Sequence, residues 1–246
     1  MRENYTLTRL FVVEPLSKGA SLTLDRSQAH YLTTVLRKSV GDSVRLFNGK
    51  DGEWQADIVQ QSKKKVTLTL TVHLRVQQMA PDIHLMFAPV RKHRTAFILE
   101  KATELGVSHI CPVITTRTQF PKLNIEKGRA QIIEAAEQTE RLDIPTLSVP
   151  QKLDNLLDGW TSQRRILFAD EAGDAQPAIE ALGSITGPMA ILIGPEGGFD
   201  SKERQRLRLM DNVTPVSLGP RILRADTAAL SLMTLWQAVH GDWHTC

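Results

Sequence analysis

The chain has 246 residues, 41% of them hydrophobic and 23% charged, which suits one large or two ordinary globular domains with real cores and excludes a disordered chain. No apolar run approaches the roughly 20 residues that span a bilayer, and the start MRENYTLTRLFVVEPL lacks a secretory pattern, so a soluble cytoplasmic protein with no membrane partner is expected. The net charge is +3, but residues 1–75 hold 12 Lys and Arg against 7 Asp and Glu, while the remainder holds 18 against 20. A basic first third on a near-neutral remainder suggests a polyanion-docking module, although solvated basic strand faces give the same count. Cys111 and Cys246 have neither the number nor the spacing of a disulfide framework or zinc site, and no metal is expected.

From Leu10 to about Leu74, short β-type runs alternate with turn signals: Leu10–Val13, Ser43–Phe47, Gln55–Val59 and Lys65–Val72. Asn48-Gly49-Lys50-Asp51-Gly52 marks a hairpin between the second and third. The pattern predicts a small β-barrel, interrupted by an amphipathic helix over about Ser27 to Arg37 with Ala29, Leu32, Val35 and Leu36 on one face. Gln77-Gln78-Met79-Ala80-Pro81-Asp82 is the best linker, which gives domains of 1–75 and 76–246.

Beyond the linker the apolar runs Ile83–Phe87, Ile110–Ile114, Arg165–Ala169, Ala190–Ile193 and Val213–Leu218 alternate with helical segments. The latter are about Arg94 to Leu105, Ile125 to Leu142, Ser201 to Met210 and Asp226 to His240. That alternation predicts an α/β domain, a parallel sheet covered by helices. Gly106 stands where a helix-ending glycine belongs, and Asp200 or Ser201 is placed to cap the helix that follows.

Two glycine-proline loops follow apolar runs near the C-terminus, Ile193-Gly194-Pro195-Glu196-Gly197-Gly198-Phe199 and Leu218-Gly219-Pro220-Arg221-Ile222-Leu223-Arg224. Ligands of open α/β sheets bind where loops leave the carboxyl ends of strands, and glycines there admit close approach to the backbone. Two adjacent strands ending in such loops therefore predict the site. Neither loop has the Gly-x-Gly-x-x-Gly or Gly-Lys-[Ser/Thr] pattern of the usual nucleotide cradles.

The run IGPEGGF, followed by SLGPRILRADTAAL, with KATELGV and EQTER upstream, resembles the 16S ribosomal RNA (uracil(1498)-N3)-methyltransferases of the knotted SPOUT superfamily. His30-Tyr31-Leu32-Thr33-Thr34-Val35-Leu36-Arg37 with Gly41-Asp42 is similar to the motif of that family's small PUA-like RNA-binding barrel. The resemblance implies a trefoil-knotted methyltransferase domain behind the barrel and a homodimer. It also implies S-adenosylmethionine as cofactor, and a specific uridine of 16S RNA or the 30S subunit as partner. Asp226 departs from the Glu more usual in that family, which puts a long-reach role for this carboxylate in doubt.

By position the resemblance assigns the cofactor loops to Phe168-Ala169-Asp170-Glu171, Gly194 to Gly198 and Leu218 to Arg224, with contacts from Phe168, Ala169, Gly194, Glu196, Gly197, Gly198, Leu218, Gly219, Ile222 and Leu223. Methylating N3 of uracil removes an imide proton, so Glu196 is the candidate proton acceptor and Arg224 the candidate stabiliser of the anion. An ion pair of Arg224 with Asp226 or Glu196 is the alternative. Arg37, Lys63, Lys64 and Lys65 are candidate phosphate contacts, and Gln138 and Arg141, three apart, are expected to share a helix face lining the site. Two other functions fit parts of the pattern: a knotted methyltransferase acting on another RNA site, and a non-catalytic ribosome-assembly module that keeps the fold.

Overall fold

The computed structural model describes residues 6–62, 65–160, 163–171 and 174–245. The chain divides into two compact units, Met1–Met79 with Ala136–Ile144, and Ala80–Ala135 with Pro145–Cys246. No helix among the described residues is long and apolar enough to cross a membrane.

The first unit is a five-stranded mixed sheet: β1 (Arg9–Phe11), β2 (Ser21–Thr23), β3 (Ser43–Phe47), β4 (Glu53–Gln61) and β5 (Val66–Arg75), in the order β1-β3-β4-β5-β2. Successive side chains of a strand point to opposite faces, so in β5 Val66, Leu68 and Leu70 are buried while Thr67, Thr69 and Thr71 stay half-exposed. With Leu22, Val44, Leu46, Ala56 and Ile58 they form one core. Asn48 builds the β3–β4 turn, its Oδ1 accepting the backbone N–H groups of Lys50 and Asp51 at 3.0 and 2.9 Å.

The predicted helix of this unit is α1 (Arg26–His30) followed by a π-helical turn, Tyr31–Val35. The i→i+5 bonding widens the turn and breaks the 3.6-residue stripe. Ala29 and Leu32 are therefore buried, Leu36 only partly, and Val35, expected on the same face, is 58% exposed. Residues 136–144 add Ala136 and Leu142 to a second apolar cluster with Phe47 and Phe11.

This unit also holds a buried charge network. Arg9 Nε lies 2.6 Å from Glu53, and Arg45 Nη2 and Arg75 Nη1 lie 2.7 and 3.0 Å from Glu140. Burial raises the Glu140 pKa, but the Arg45 hydrogen bond and the charges of Arg9, Arg45 and Arg75 outweigh it and hold the carboxyl below its usual range. Three of the twelve basic residues of the first third thus point inward, so the charge asymmetry overstates the basic surface.

The second unit is a parallel sheet of β6 (Ile83–Phe87), β7 (His109–Ile114), β8 (Thr146–Leu147), β10 (Arg165–Ala169), β11 (Gln176–Pro177), β12 (Met189–Ile193) and β13 (Val213–Ser217). Its order is β11-β13-β10-β12-β6-β7-β8, with β9 (Gln151–Lys152) also paired to β7. Central β12 is buried at every residue, as its unbroken apolar run requires of a strand covered on both faces. The helices are α2 (Lys92–Glu104), α3 (Ile125–Gln138), whose last three residues fall in the first unit, α4 (Leu153–Asp158), α5 (Ala178–Ser184), α6 (Ser201–Leu209) and α7 (Ala225–His240).

α2 ends in a Schellman turn: Gly106 has φ +74°, Val107 N–H donates to Ala102 O at 2.9 Å, and Gly106 N–H donates to Thr103 O at 3.2 Å. Asp200 and Glu203 form the capping box of α6, so the cap falls on Asp200. α3 stops at Gln138, four residues before the predicted end, and Glu140 follows at φ +63°.

Candidate active site

β10, β12 and β13 run parallel, so their carboxyl ends share one edge of the sheet. At that edge the segments 169–171, 193–199 and 216–223, with Arg204 of α6 and the start of α7, enclose a cavity of about 370 Å³, a size that suits a small organic ligand. The sequence reading placed the two glycine loops on adjacent strands. In the structure β10 lies between β12 and β13, because the chain crosses over β10 before β13 pairs. The loop after β10 therefore completes the cavity between them.

Of the residues proposed for the cofactor, Ala169, Gly194, Glu196, Gly198, Leu218, Gly219, Ile222 and Leu223 line this cavity. Phe168, Gly197 and Arg224 do not. Phe168 is wholly buried and packs edge-on against Phe199, which is a lining residue, with ring centroids 4.9 Å apart. Gly197 accepts a hydrogen bond on its carbonyl from Arg117 Nη1 at 2.7 Å, and a Cβ on it would rest in ordinary contact with Arg117 at 3.6 Å. Gly198 is the demanding position: its φ is +66°, and a Cβ there would collide with Glu171 Oε1. Arg224 is the exposed residue preceding α7, with no side-chain capping bond.

Several side chains fix these loops, and of them only Asp170, in the Phe168–Glu171 loop, is singled out from the sequence. Asp170, buried at the end of β10, accepts hydrogen bonds from Arg204 Nε at 2.9 Å and Arg208 Nε at 2.8 Å. Both arginines also reach Asp174, whose carboxyl is held below its usual range chiefly by the Arg208 hydrogen bonds. Thr116 N–H donates to Glu203 Oε1 at 2.7 Å, tying the end of β7 to the α6 cap. Glu196 faces Arg94 of α2, with Oε1 3.9 Å from Nη1, and Asp226 faces the same guanidinium, with Oδ2 3.8 Å from Nε. Arg94, a hundred residues upstream, is thus the partner for which the sequence reading considered Arg224. The RKHR cluster at 91–94, just ahead of KATELGV, was the only local signal for it.

Among the residues proposed for RNA, Arg37 is exposed at φ +54°, Lys65 is exposed at the start of the β5 hairpin, and Gln138 is exposed at the end of α3. Lys63 and Lys64 lie outside the described residues. The shared helix face of Gln138 and Arg141 does not exist, because the left-handed Glu140 ends the helical path between them. The Arg141 side chain is 7% exposed and pairs with Asp143 at 2.8 Å, so it points inward and not to a surface.

A family model described as RNA methyltransferase domain matches residues 77–237, and one described as RNA methyltransferase PUA domain matches residues 24–71. The chain is 33% identical over 226 residues to the ribosomal RNA small subunit methyltransferase E of Rickettsia conorii, covering 91% of this chain and 92% of that one. It is 30% identical to the Synechocystis protein of the same name over 225 residues, 89% and 74% of the two chains. The structure superposes on ribosomal RNA small subunit methyltransferase E from Neisseria gonorrhoeae, bound to S-adenosyl methionine, with a TM-score of 0.85 at 26% identity over 96% of this chain and 99% of that one. A putative methyltransferase from Legionella pneumophila, in complex with the same cofactor, gives a TM-score of 0.84 at 31% identity over 96% and 99%.

A PUA-type sheet followed by a parallel sheet with a small-molecule cavity at its carboxyl edge defines an RNA methyltransferase of the α/β class. The chain belongs to the family of ribosomal RNA small subunit methyltransferase E.

Proposed function

We propose that this protein methylates N3 of uridine 1498 in 16S ribosomal RNA of the small subunit, working in the cytoplasm as a homodimer with S-adenosylmethionine as methyl donor. The observation that carries the reading is the cavity formed by both glycine loops at the carboxyl edge of the sheet in a chain of this family. Its lining fits the cofactor: Ile193, Val216, Leu218 and Leu223 supply apolar walls for an adenine, the glycine turns expose backbone polar groups, and the carboxylate of Glu171 suits a cationic group of the molecule. When bound, the cofactor supplies an electrophilic methyl group on sulfur.

Gly194, Gly198, Gly219 and the Ala169 loop then hold the cofactor by close approach, with Gly197 and Phe168 supporting them from behind. Glu196 takes the imide proton, and Arg224, exposed at the head of α7, stabilises the anionic base. Arg37, Lys63, Lys64, Lys65 and Gln138 contact RNA, and phosphate contacts of this kind position without reading sequence. The knotted threading implied by the resemblance belongs to the same reading.

Calorimetry with S-adenosylmethionine, paired with transfer of labelled methyl groups to small subunits from cells lacking the gene, tests it. Saturable binding at one site per chain and label in 16S RNA are expected. Absence of binding, or label only in transfer RNA, contradicts it.

A further inference from the structure

We infer that Arg94 is a positioning residue for Glu196, and that Asp226 lets it orient the carboxylate without fully neutralising it. This rests on the reading of the reaction as uridine N3 methylation. β6 neighbours β12 in the sheet, so the first turn of α2, which follows β6, stands at the cavity edge. Arg94 there reaches Glu196 Oε1 with Nη1 at 3.9 Å and Asp226 Oδ2 with Nε at 3.8 Å. Asp226 is itself held, its Oδ1 accepting the Thr227 N–H at 3.0 Å in the first turn of α7.

Glu196 lines the cavity but its side chain is 35% exposed, and an unheld glutamate at that exposure would spend much of its time turned to water. The Arg94 guanidinium draws the carboxylate toward the cavity edge and narrows that freedom. A carboxylate bound to a guanidinium of its own is a poor proton acceptor, whereas here one cation is divided between two carboxylates. At 3.8–3.9 Å the contacts are ion pairs and not hydrogen bonds, so Glu196 keeps lone pairs for a proton. The arrangement repeats the logic of a base oriented by a second group that a third group holds in turn.

The charges close. Glu196, Arg94 and Asp226 together carry one excess negative charge. When the N3–H bond breaks toward Glu196 the trio becomes neutral. The electron pair left on N3 forms the bond to the methyl carbon, and the pair of the broken carbon–sulfur bond stays on sulfur, removing its positive charge.

Single-turnover rates on small subunits, cofactor dissociation constants by calorimetry, and the methylated nucleoside identified by mass spectrometry are measured for wild type, Arg94→Gln, Arg94→Lys, Glu196→Gln and the double variant Arg94→Gln/Glu196→Gln. Arg94→Gln is expected to lose on the order of 100-fold in rate, as removal of an effective general base does, with cofactor affinity unchanged within about twofold. Arg94→Lys should recover most of the rate, and the double variant should be no slower than Glu196→Gln. N3-methyluridine from wild type together with multiplicative losses in the double variant, or a parallel loss of cofactor affinity in Arg94→Gln, overturns the role of Arg94 alone. A wild-type product other than N3-methyluridine overturns the reading of the reaction and the inference with it.

Discussion

At the scale of single residues, the cavity depends on backbone conformations that side chains disfavour. Gly198→Ala forces a Cβ into φ +66° and into Glu171. A left-handed residue costs about 1–2 kcal/mol, and the carboxylate end of Glu171, a lining residue, must turn aside. We expect at least a tenfold weaker S-adenosylmethionine affinity by calorimetry, with a lowered but cooperative melting transition. Gly197→Ala, whose Cβ meets only ordinary contact with Arg117, should bind nearly as wild type. Equal affinities for both variants would remove Gly198 from the site.

A second residue effect lies away from the cavity. His84 and His109 stack at 4.9 Å across paired strands, and His109 Nε2 shares a hydrogen bond with Ser148 Oγ at 2.7 Å. Burial, with the charges of Arg164 and His109, pushes His84 down to about 4 from its ordinary 6.5 against the pull of Asp82. Between those values the unfolded chain takes up a proton that the folded chain refuses, so stability is full above pH 6.5 and falls as the pH drops toward 4. The loss over that window is at most roughly 3 kcal/mol. Urea unfolding at pH 7 and pH 4.5 should show it, and His84→Gln should flatten the difference; an unchanged pH dependence in the variant contradicts the assignment.

The glycine loops were legible in the sequence because their signal is local: a buried strand, then Gly and Pro in a few consecutive residues. Arg94, Arg117 and Arg204 were not, since each meets its partner across strands that only the fold brings together. Arg141 shows the reverse error. Spacing alone put it on a helix face, and one residue at positive φ, Glu140, took it off.

At the scale of elements, regular periodicity carried the reading and interruptions defeated it. β3, β6 and β10 have the predicted bounds, and α7 starts within one residue of its expected start, because each is a clean apolar run or stripe. The π-helical turn after α1 and the early stop of α3 escaped, and the second is settled by contacts beyond the segment. The stop of α3 is held by Glu140, which sits among Arg45, Arg75 and Arg9. Its counterpart Glu53 is 1% exposed between the same arginines. Removing one charge from such a buried network leaves the others uncompensated, at a cost of about 3–5 kcal/mol. Glu53→Gln is therefore expected to lower the urea midpoint sharply without changing the cooperativity of unfolding. A shift equivalent to under about 1 kcal/mol, the range of exposed pairs, would show that the network is solvated.

For the whole molecule, composition and charge placed a basic module ahead of an α/β domain, and the four ordered motifs pointed to the family. The return of residues 136–144 to the first unit had no linear signature. With Arg9, Arg45 and Arg75 turned inward, the RNA docking proposed for this unit rests on Arg37 and Lys65, which are exposed, and on the proposed contacts of Lys63 and Lys64. Replacing Lys63, Lys64 and Lys65 with Ala should flatten the salt dependence of RNA binding by about two to three units of slope, at roughly 0.7 to 0.9 per phosphate contact, with cofactor affinity intact. An unaltered slope means that this run does not dock.

Dimerisation belongs at the same scale. α7 buries Ala228, Ala229, Leu232, Met233 and Trp236 within the chain, yet leaves Leu230, Leu235 and Val239 half-exposed. Leu235 and Val239, four apart, share one flank of the buried face while Leu230 lies on the other, and open apolar residues there suit burial by another copy. Light scattering at micromolar concentration should give twice the chain mass, and Leu235→Glu should lower it toward one chain; a monomeric wild type contradicts the homodimer.

The most direct test of the central claim is nucleoside mass spectrometry, with reverse-transcription mapping, of 16S RNA methylated by the purified protein from S-adenosylmethionine. One N3-methyluridine per RNA, at uridine 1498, is the predicted product. Methyl groups on a ribose 2′-hydroxyl, on another base, or spread over several positions would contradict the account.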